Sequence, residues 1–353
     1  MNILIIDWMN LVKRYIYTSE LAELEVGEVT QKLTYSILNR IDKLFFLTKP
    51  DLVFICSDCG FNKRAAGIVE GYKQNRKKYK SLTDEEKEKS YLEYLKLLAR
   101  SLPTAYIEIK DVEADMIIRC VIQYMKQLNI NINFTIASND TDMLQLIDDN
   151  VRIYNWNKEF VNKDNWVEKT FKENIYFNSK NYALAKSIVG DKSDNIKGAN
   201  GIGWKKIFSI FELLHKKYSN EYIAETIYSL IDNLKKTVEN DKGLKKKFEK
   251  IITILNENVK LIHNNMFVID MNLIETPFLF QINQEIKKSL TTFSKSKFHR
   301  RIILDLLKLN YKDDLDTDDE EILKRNSKAL ISFMYLHKKT VYNANILLKR
   351  LVE

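Results

Sequence analysis

Five short apolar runs punctuate the first 160 residues: Ile3 to Ile6, Leu52 to Cys56, Ala105 to Ile109, Phe134 to Ala137 and Val151 to Tyr154. Each is strand-sized and too short for a buried helix. Helix-period segments lie between them. Leu33 to Leu47 places Leu33, Ile37, Ile41, Leu44 and Phe45 on one face, and Val112 to Leu128 follows a similar period. This alternation predicts an α/β fold, a doubly wound, mainly parallel central sheet flanked by helices.

Beyond about residue 163 the pattern becomes helical and no further strand is expected. One Gly-rich turn, Gly198 to Gly203, interrupts it. The chain of 353 residues holds only nine Gly and three Pro, with no long flexible linker, so its regions should pack together. The expected division is an α/β core over residues 1–162, a helical region over 163–290 and a helical C-terminal tail over 291–353. The tail carries an acidic patch, Asp313 to Glu321, and a Lys-rich final helix. Asp314-x-Asp316-x-Asp318 opens like a calcium loop, but Asp319 and Arg325 stand where Gly and Glu are needed, so it reads as a solvated acidic turn.

A hydrophobic share of 45% with 29% charged residues describes a soluble globular chain. The opening apolar run is cut by Asp7, too soon for a signal or transmembrane segment, so a cytoplasmic location and no membrane partner are expected. Cys56, Cys59 and Cys120 are too few for a disulfide framework, and Cys56-x-x-Cys59 reads as packing in the absence of a second pair. The four His are scattered. The net charge of +8 points to an acidic partner, of which nucleic acid is the commonest.

Three of the expected strands run straight into an acid: Asp7, Asp58 and Asp140. In a parallel sheet these positions share the carboxyl edge, where open α/β folds bind ligands. Glu113, Asp115 and Asp142 follow nearby, and Asp191 and Asp194 sit in Gly190-Asp-Lys-Ser-Asp-Asn195. Taken singly, each Asp after a strand is a normal helix N-cap, and Asp194-Asn195 a normal turn pair. Taken together, so many acids on one edge would repel unless cations neutralised them. A site of oxygen donors without His suits Mg²⁺ or Mn²⁺. Two such ions about 3.5–4 Å apart clamp the attacking and leaving oxygens of a phosphoryl displacement, which makes phosphodiester hydrolysis the natural chemistry.

Basic residues flank these acids. Tyr72 to Lys80 reads as the continuation of a helix, with Lys73, Arg76, Lys77 and Lys80 on one stripe and Tyr72 and Tyr79 near it for base stacking. A solvated surface face would give the same spacing. Lys73 or Arg76 could stabilise charge on a scissile phosphate. The turn Gly198-Ala-Asn-Gly201-Ile-Gly203 leads into a helix with Lys205 and Lys206 at its start, an arrangement suited to phosphate-backbone contact.

The ordered set Ile6-Asp7 with Asn10, Tyr72-Lys-Gln-Asn-Arg76, Val112-Glu-Ala-Asp115, Ser138-Asn-Asp-Thr-Asp142, Gly190-Asp-Lys-Ser-Asp-Asn-Ile196 and Gly201-Ile-Gly203 resembles the 5′-nuclease superfamily. Its members include flap endonucleases, the 5′-nuclease domain of bacterial DNA polymerase I, and phage 5′→3′ exonucleases and ribonuclease H. The resemblance covers roughly residues 1–215. It implies one metal cluster at Asp7, Asp58, Glu113 and Asp115, and a second at Asp140, Asp142, Asp191 and Asp194. It also implies phosphate contact by Lys73 and Arg76, and a duplex-gripping turn at Gly201 to Gly203 with K⁺. A helical arch near residues 77–102 would admit a single strand. The implied enzyme is a monomeric, metal-dependent 5′→3′ exonuclease and flap endonuclease acting on DNA with 5′ ends, flaps or branches and on RNA–DNA hybrids, alongside replication proteins. Three positions depart from the pattern: Met116 replaces an acid, and Trp8 and Asn139 each replace a Gly. Met116 leaves open an alternative, a catalytically silent relative that only binds branched DNA.

Overall fold

The computed structural model describes residues 1–16, 26–60, 63–74, 82–219, 222–274, 276–298, 302–303 and 317–351. Its central feature is a six-stranded sheet of β1 (Asn2–Asp7), β2 (Leu52–Ser57), β3 (Ala105–Glu108), β4 (Asn133–Ala137), β5 (Val151–Asn155) and β6 (Glu159–Val161). The spatial order is β3-β2-β1-β4-β5-β6, parallel throughout except for the β5–β6 hairpin. The five expected strands are all present. β6 escaped prediction because its three residues carry no readable period.

Successive side chains of a strand point to opposite faces, and here both faces are apolar. Leu4, Ile6, Val53 and Ile55 enter one buried cluster with Leu11, Ile37, Ile41, Leu95 and Leu98. Ile3, Ile5, Phe54 and Phe134 enter the other with Ile117, Val121, Ile188 and Leu214. The first face is covered by α1 (Trp8–Ile16), α2 (Val26–Thr48) and α4 (Leu82–Ser101), with the short α3 (Lys63–Ile68) between the last two in sequence. The second face is covered by α5 (Ala114–Lys126), α6 (Trp166–Phe171), α7 (Tyr182–Val189) and α8 (Trp204–Tyr218). Trp8, the first departure from the family pattern, fills the first cluster and is 1% exposed.

Register sets the functional edge. Asp7 lies opposite Cys56, and Ile6 opposite Ala137, so β1, β2 and β4 finish level. Asp7, Asp58 and the Ser138–Asp140 turn therefore leave the sheet together.

The second half continues as α9 (Ile227–Val238), α10 (Lys242–Glu257), α11 (Val259–Ile269) and α12 (Thr276–Ser294), then a long helix over Thr317–Arg350. α12 runs through the boundary expected at residue 290 and packs on β3 and α5. The long C-terminal helix contributes Leu330 and Phe333 to one cluster and Ala344 and Leu347 to the other. Its Lys339 pairs with Asp51 at 2.8 Å and its Asn343 donates to Asp51 O, fixing it at the entry of β2, opposite the carboxylate edge. Asp314 and Asp316 lie outside the described residues.

Two expectations are corrected. Strands do not stop at residue 163: β7 (Gly190–Asp191) and β8 (Ile196–Lys197) form an antiparallel ribbon. Gly190 (φ +83°) and Gly198 face each other there so closely that a Cβ on Gly198 would sit 2.0 Å from Val189 O. Nor do Tyr72 to Gln74 continue a helix. α3 ends at Ile68, and Lys73 has φ +55°. The Asp194 carbonyl accepts from Lys73 N at 2.9 Å and Asn195 Nδ2 donates to Gly71 O at 2.9 Å, which pins this turn to the ribbon loop. The basic stripe therefore fails at its first member. Arg76, Lys77, Tyr79 and Lys80 lie outside the described residues.

Among the described residues no helix is long and apolar enough to cross a membrane. Cys56 and Cys120 are buried, Cys59 is partly buried, and all three are free thiols.

Candidate active site

At the carboxyl edge, a cavity of about 220 Å³ is lined by Asp7, Asp58, Glu113, Asp115 and Asp140, together with Met9, Asn10, Lys13, Lys73 and Ala114. Five of the eight predicted acids are thus brought together from four places in the chain.

Each acid is held by local backbone geometry. Asp7 both caps a helix and faces the cavity: its Oδ1 accepts from Asn10 N at 3.1 Å and its Oδ2 from Ser138 Oγ at 2.8 Å. Asp58 Oδ1 accepts from Ala114 N at 2.6 Å, which joins the end of β2 to the start of α5. Asp140 caps the short 3₁₀ helix Thr141–Leu146 by accepting from Asp142 N at 2.9 Å. The capping reading and the cavity-lining reading of these Asp residues are therefore compatible. Glu113 is the N-cap residue of α5, but its side chain makes no cap bond. It is taken instead by Lys73 Nζ and by Tyr72 OH at 3.2 Å.

The electrostatics reflect crowding. Burial, then Asp58 and Asp140, raise the Asp7 carboxyl to about 7. Burial, then Glu113 and Asp140, raise Asp115 well above the ordinary carboxylate range. Burial also raises Asp58 against the pull of its hydrogen bond from Ala114 N. Burial disfavours the Lys73 ammonium, but Glu113 and Asp194 outweigh that and raise its pKa.

Of the other three acids, Asp142 and Asp191 form a neighbouring group. Lys186, 5% exposed on α7, pairs with Asp142 and, at 2.6 Å, with Asp191. Burial pushes Asp142 upward against that ion pair. Asp191 is pushed up by burial but pulled further down by Lys186 and the two hydrogen bonds from Ser193. Asp194 lies 3.7 Å from Lys73 and so links the two groups. Sequence reading missed Lys186, because nothing in a helical Lys signals that two acids will close on it.

The residues fit a hard divalent cation in donor chemistry, since the cavity offers carboxylate oxygens and no His or Cys. Among the described residues, no three acids stand close enough together to hold one ion in this arrangement. Glu113 in particular is drawn toward Lys73 and Tyr72.

Several predicted contacts take a different form. Tyr72 is 4% exposed with its hydroxyl on Glu113, so its ring is not open to a base. At the glycine turn, Gly201 (φ +84°) and Gly203 are exposed and Gly203 is the N-cap of α8. Lys205 and Lys206 lie exposed in the first turn, and Lys206 Nζ donates to Gly201 O at 2.6 Å.

The two remaining departures are explained by packing. Asn139 Oδ1 accepts from Trp156 N at 2.7 Å, while Asn10 Oδ1 accepts from both Asn139 N and Trp156 Nε1. This knot ties the Asp7 and Asp140 loops together. Met116 packs against the second apolar cluster, and its N–H donates to Asp115 Oδ1 at 2.6 Å.

A mainly parallel α/β sheet with carboxylates clustered at its exit edge defines a class of ligand-binding open α/β proteins, and comparison with known proteins narrows it. Residues 2–173 match the family model of the 5′-3′ exonuclease, N-terminal resolvase-like domain. A 5′-3′ exonuclease of Mycoplasmopsis pulmonis is 27% identical over 324 residues, 90% of this chain and 95% of that protein. DNA polymerase I of Caldicellulosiruptor bescii is 27% identical over 267 residues, 74% of this chain but 30% of the polymerase. The chain thus spans a third or less of the polymerases it matches. In fold, it is similar to the bacteriophage T5 D15 flap endonuclease solved with DNA and metal ions, at a TM-score of 0.57 and 18% identity over 92% of this chain and all of that one. Residues 2–173 thus carry the 5′-3′ exonuclease N-terminal domain, and the chain as a whole is similar to 5′-3′ exonucleases.

Proposed function

We propose that this chain is a divalent-metal-dependent 5′→3′ exonuclease and flap endonuclease. It hydrolyses phosphodiester bonds in DNA bearing 5′ ends, flaps or branches, and in the RNA of RNA–DNA hybrids during primer removal. The observation that carries the reading is the cavity in which Asp7, Asp58, Glu113, Asp115 and Asp140 meet. The match of residues 2–173 to the 5′-3′ exonuclease N-terminal domain supports the same reading.

In this proposal Asp7, Asp58, Glu113, Asp115 and Asp140 hold Mg²⁺ or Mn²⁺, with Asp142, Asp191 and Asp194 serving a second ion. Bound there, such ions activate water and neutralise charge on the phosphodiester. Ser138, Asn10 and the Ala114 N–H orient the carboxylate oxygens. Lys73 sets Glu113, and Arg76 is assigned to the phosphate. The exposed turn Gly201 to Gly203 with Lys205 and Lys206 grips the duplex, with K⁺ as its ion, and the segment near residues 77–102 forms the arch, anchored by its buried Leu95 to Leu102 end on the sheet. We assign residues 1–162 to the nuclease core, 163–290 to duplex binding and 291–353 to the tail. The protein works as a monomer in the cytoplasm, beside replication proteins.

A second reading, a branched-DNA binder without activity, is favoured by Met116 in place of an acid and by Lys186 already neutralising Asp142 and Asp191. Incubating the protein with a labelled 5′ flap, with and without Mg²⁺, and resolving product lengths separates the two. Mg²⁺-dependent mono- or oligonucleotide release supports the nuclease, and binding with no product at any metal concentration rejects it.

A further inference from the structure

We propose that Lys13 is, among the described residues, the cation that meets the incoming phosphodiester at the carboxylate cavity, beside the Arg76 already assigned there, an assignment that rests on the nuclease reading above. α1 starts directly after Asp7, and Met9, Asn10 and Lys13 fall on the face that lines the cavity. Among the described residues, two lysines line it, and their situations differ. Lys73 is committed: it pairs with Glu113, lies 3.7 Å from Asp194 and sits 4.8 Å over the Tyr72 ring. Meeting a phosphate would cost Lys73 those partners. Lys13 is half-buried, and among the described residues it makes no hydrogen bond or salt bridge, while its charge is felt at Asp58 across the cavity.

A polyanion approaching five carboxylates needs positive charge at the mouth, and a cation without a partner gives it at no internal loss. The role that sequence reading gave to Lys73 thus passes to Lys13, whose helical neighbours carry no motif that would single it out.

The assignment has a signature that a merely structural role would not give. Removing Lys13 takes positive charge from beside the carboxylates, so it should weaken the hold on DNA while leaving metal binding equal or tighter.

The test compares the full-length protein with Lys13→Ala, Lys13→Gln and Lys13→Arg on a labelled 5′ flap. It measures KM and the Mg²⁺ concentration for half-maximal rate, and the binding constant by fluorescence anisotropy at several salt concentrations. For Lys13→Ala and Lys13→Gln we expect KM and Kd to rise about tenfold. The slope of log Kd against log salt should shrink by about one. The Mg²⁺ requirement should stay level or fall, and Lys13→Arg should stay near wild type. Unchanged KM, Kd and salt slope in both neutral variants would overturn the assignment, as would a Mg²⁺ requirement that rises in step with KM. Anisotropy reads Lys13 whether or not cleavage occurs. A wild-type protein that binds the flap but never cuts it overturns the nuclease reading alone.

Discussion

Asp7 and Asp140 are coupled through one hydroxyl: Ser138 Oγ donates to Asp7 Oδ2 at 2.8 Å and accepts the Asp140 N–H at 3.0 Å. Ser138 is fully buried, so neither bond can be replaced by bulk water. Two acids from the ends of adjacent strands thus have their spacing set by a side chain that touches no substrate.

Ser138→Ala should therefore loosen both acids at once. We expect a loss of roughly 1–3 kcal/mol in stability, from a buried acceptor left without its donor. The Mg²⁺ requirement for cleavage should rise as well. Chemical denaturation and a Mg²⁺ titration of flap cleavage check the two effects. Wild-type values in both would show that the hydroxyl sets nothing.

Metal-free protein should gain stability as pH falls. Asp7 carries a folded pKa of about 7 against an ordinary value of 3.8, and Asp115 is also raised. A carboxyl raised on folding binds more protons in the folded state than in the unfolded state across that interval. Stability therefore declines as pH rises from about 4 through 7. Thermal melts in chelator should show Tm falling between pH 5 and 8, and added Mg²⁺ should flatten the decline. A Tm that climbs over that range without metal contradicts the picture of crowded, uncompensated carboxylates.

Lys186→Met removes the ammonium that pairs with both Asp142 and Asp191. Breaking a buried pair while leaving the partner charge costs roughly 3–5 kcal/mol. The loss should appear in denaturant melts at pH 8 in chelator and be partly recovered by Mg²⁺, because the two acids are then left for a cation. Equal destabilisation with and without Mg²⁺ would mean that Lys186 is a packing residue only.

Much of the sheet was legible because its strands are short, wholly apolar runs that end abruptly in acids: Leu4, Ile5 and Ile6 are completely buried and Asp7 follows at once. The clustering of Asp7, Asp58 and Asp140 was legible for the same reason, since strand exits in a parallel sheet share an edge. The Tyr72 turn was not, because evenly spaced lysines imitate a helix, whereas the conformation there is dictated by Asp194 and Asn195 over a hundred residues away. The ribbon at Gly190–Asp191 and Ile196–Lys197 is two residues per strand, too short for any period. Lys186 and Lys13 acquire their places only when α7 and α1 dock beside acids from other segments, and a single sequence carries no mark of that docking.

The most direct test of the central claim is Mn²⁺ binding to the metal-free protein, followed by the electron paramagnetic resonance signal of free Mn²⁺, for wild type and Asp115→Asn. The account predicts that wild type takes up Mn²⁺ and that Asp115→Asn binds it at least about tenfold more weakly, while melting at the same temperature or higher in chelator. Wild type that takes up no Mn²⁺, or a variant that binds it as tightly as wild type, would contradict the account.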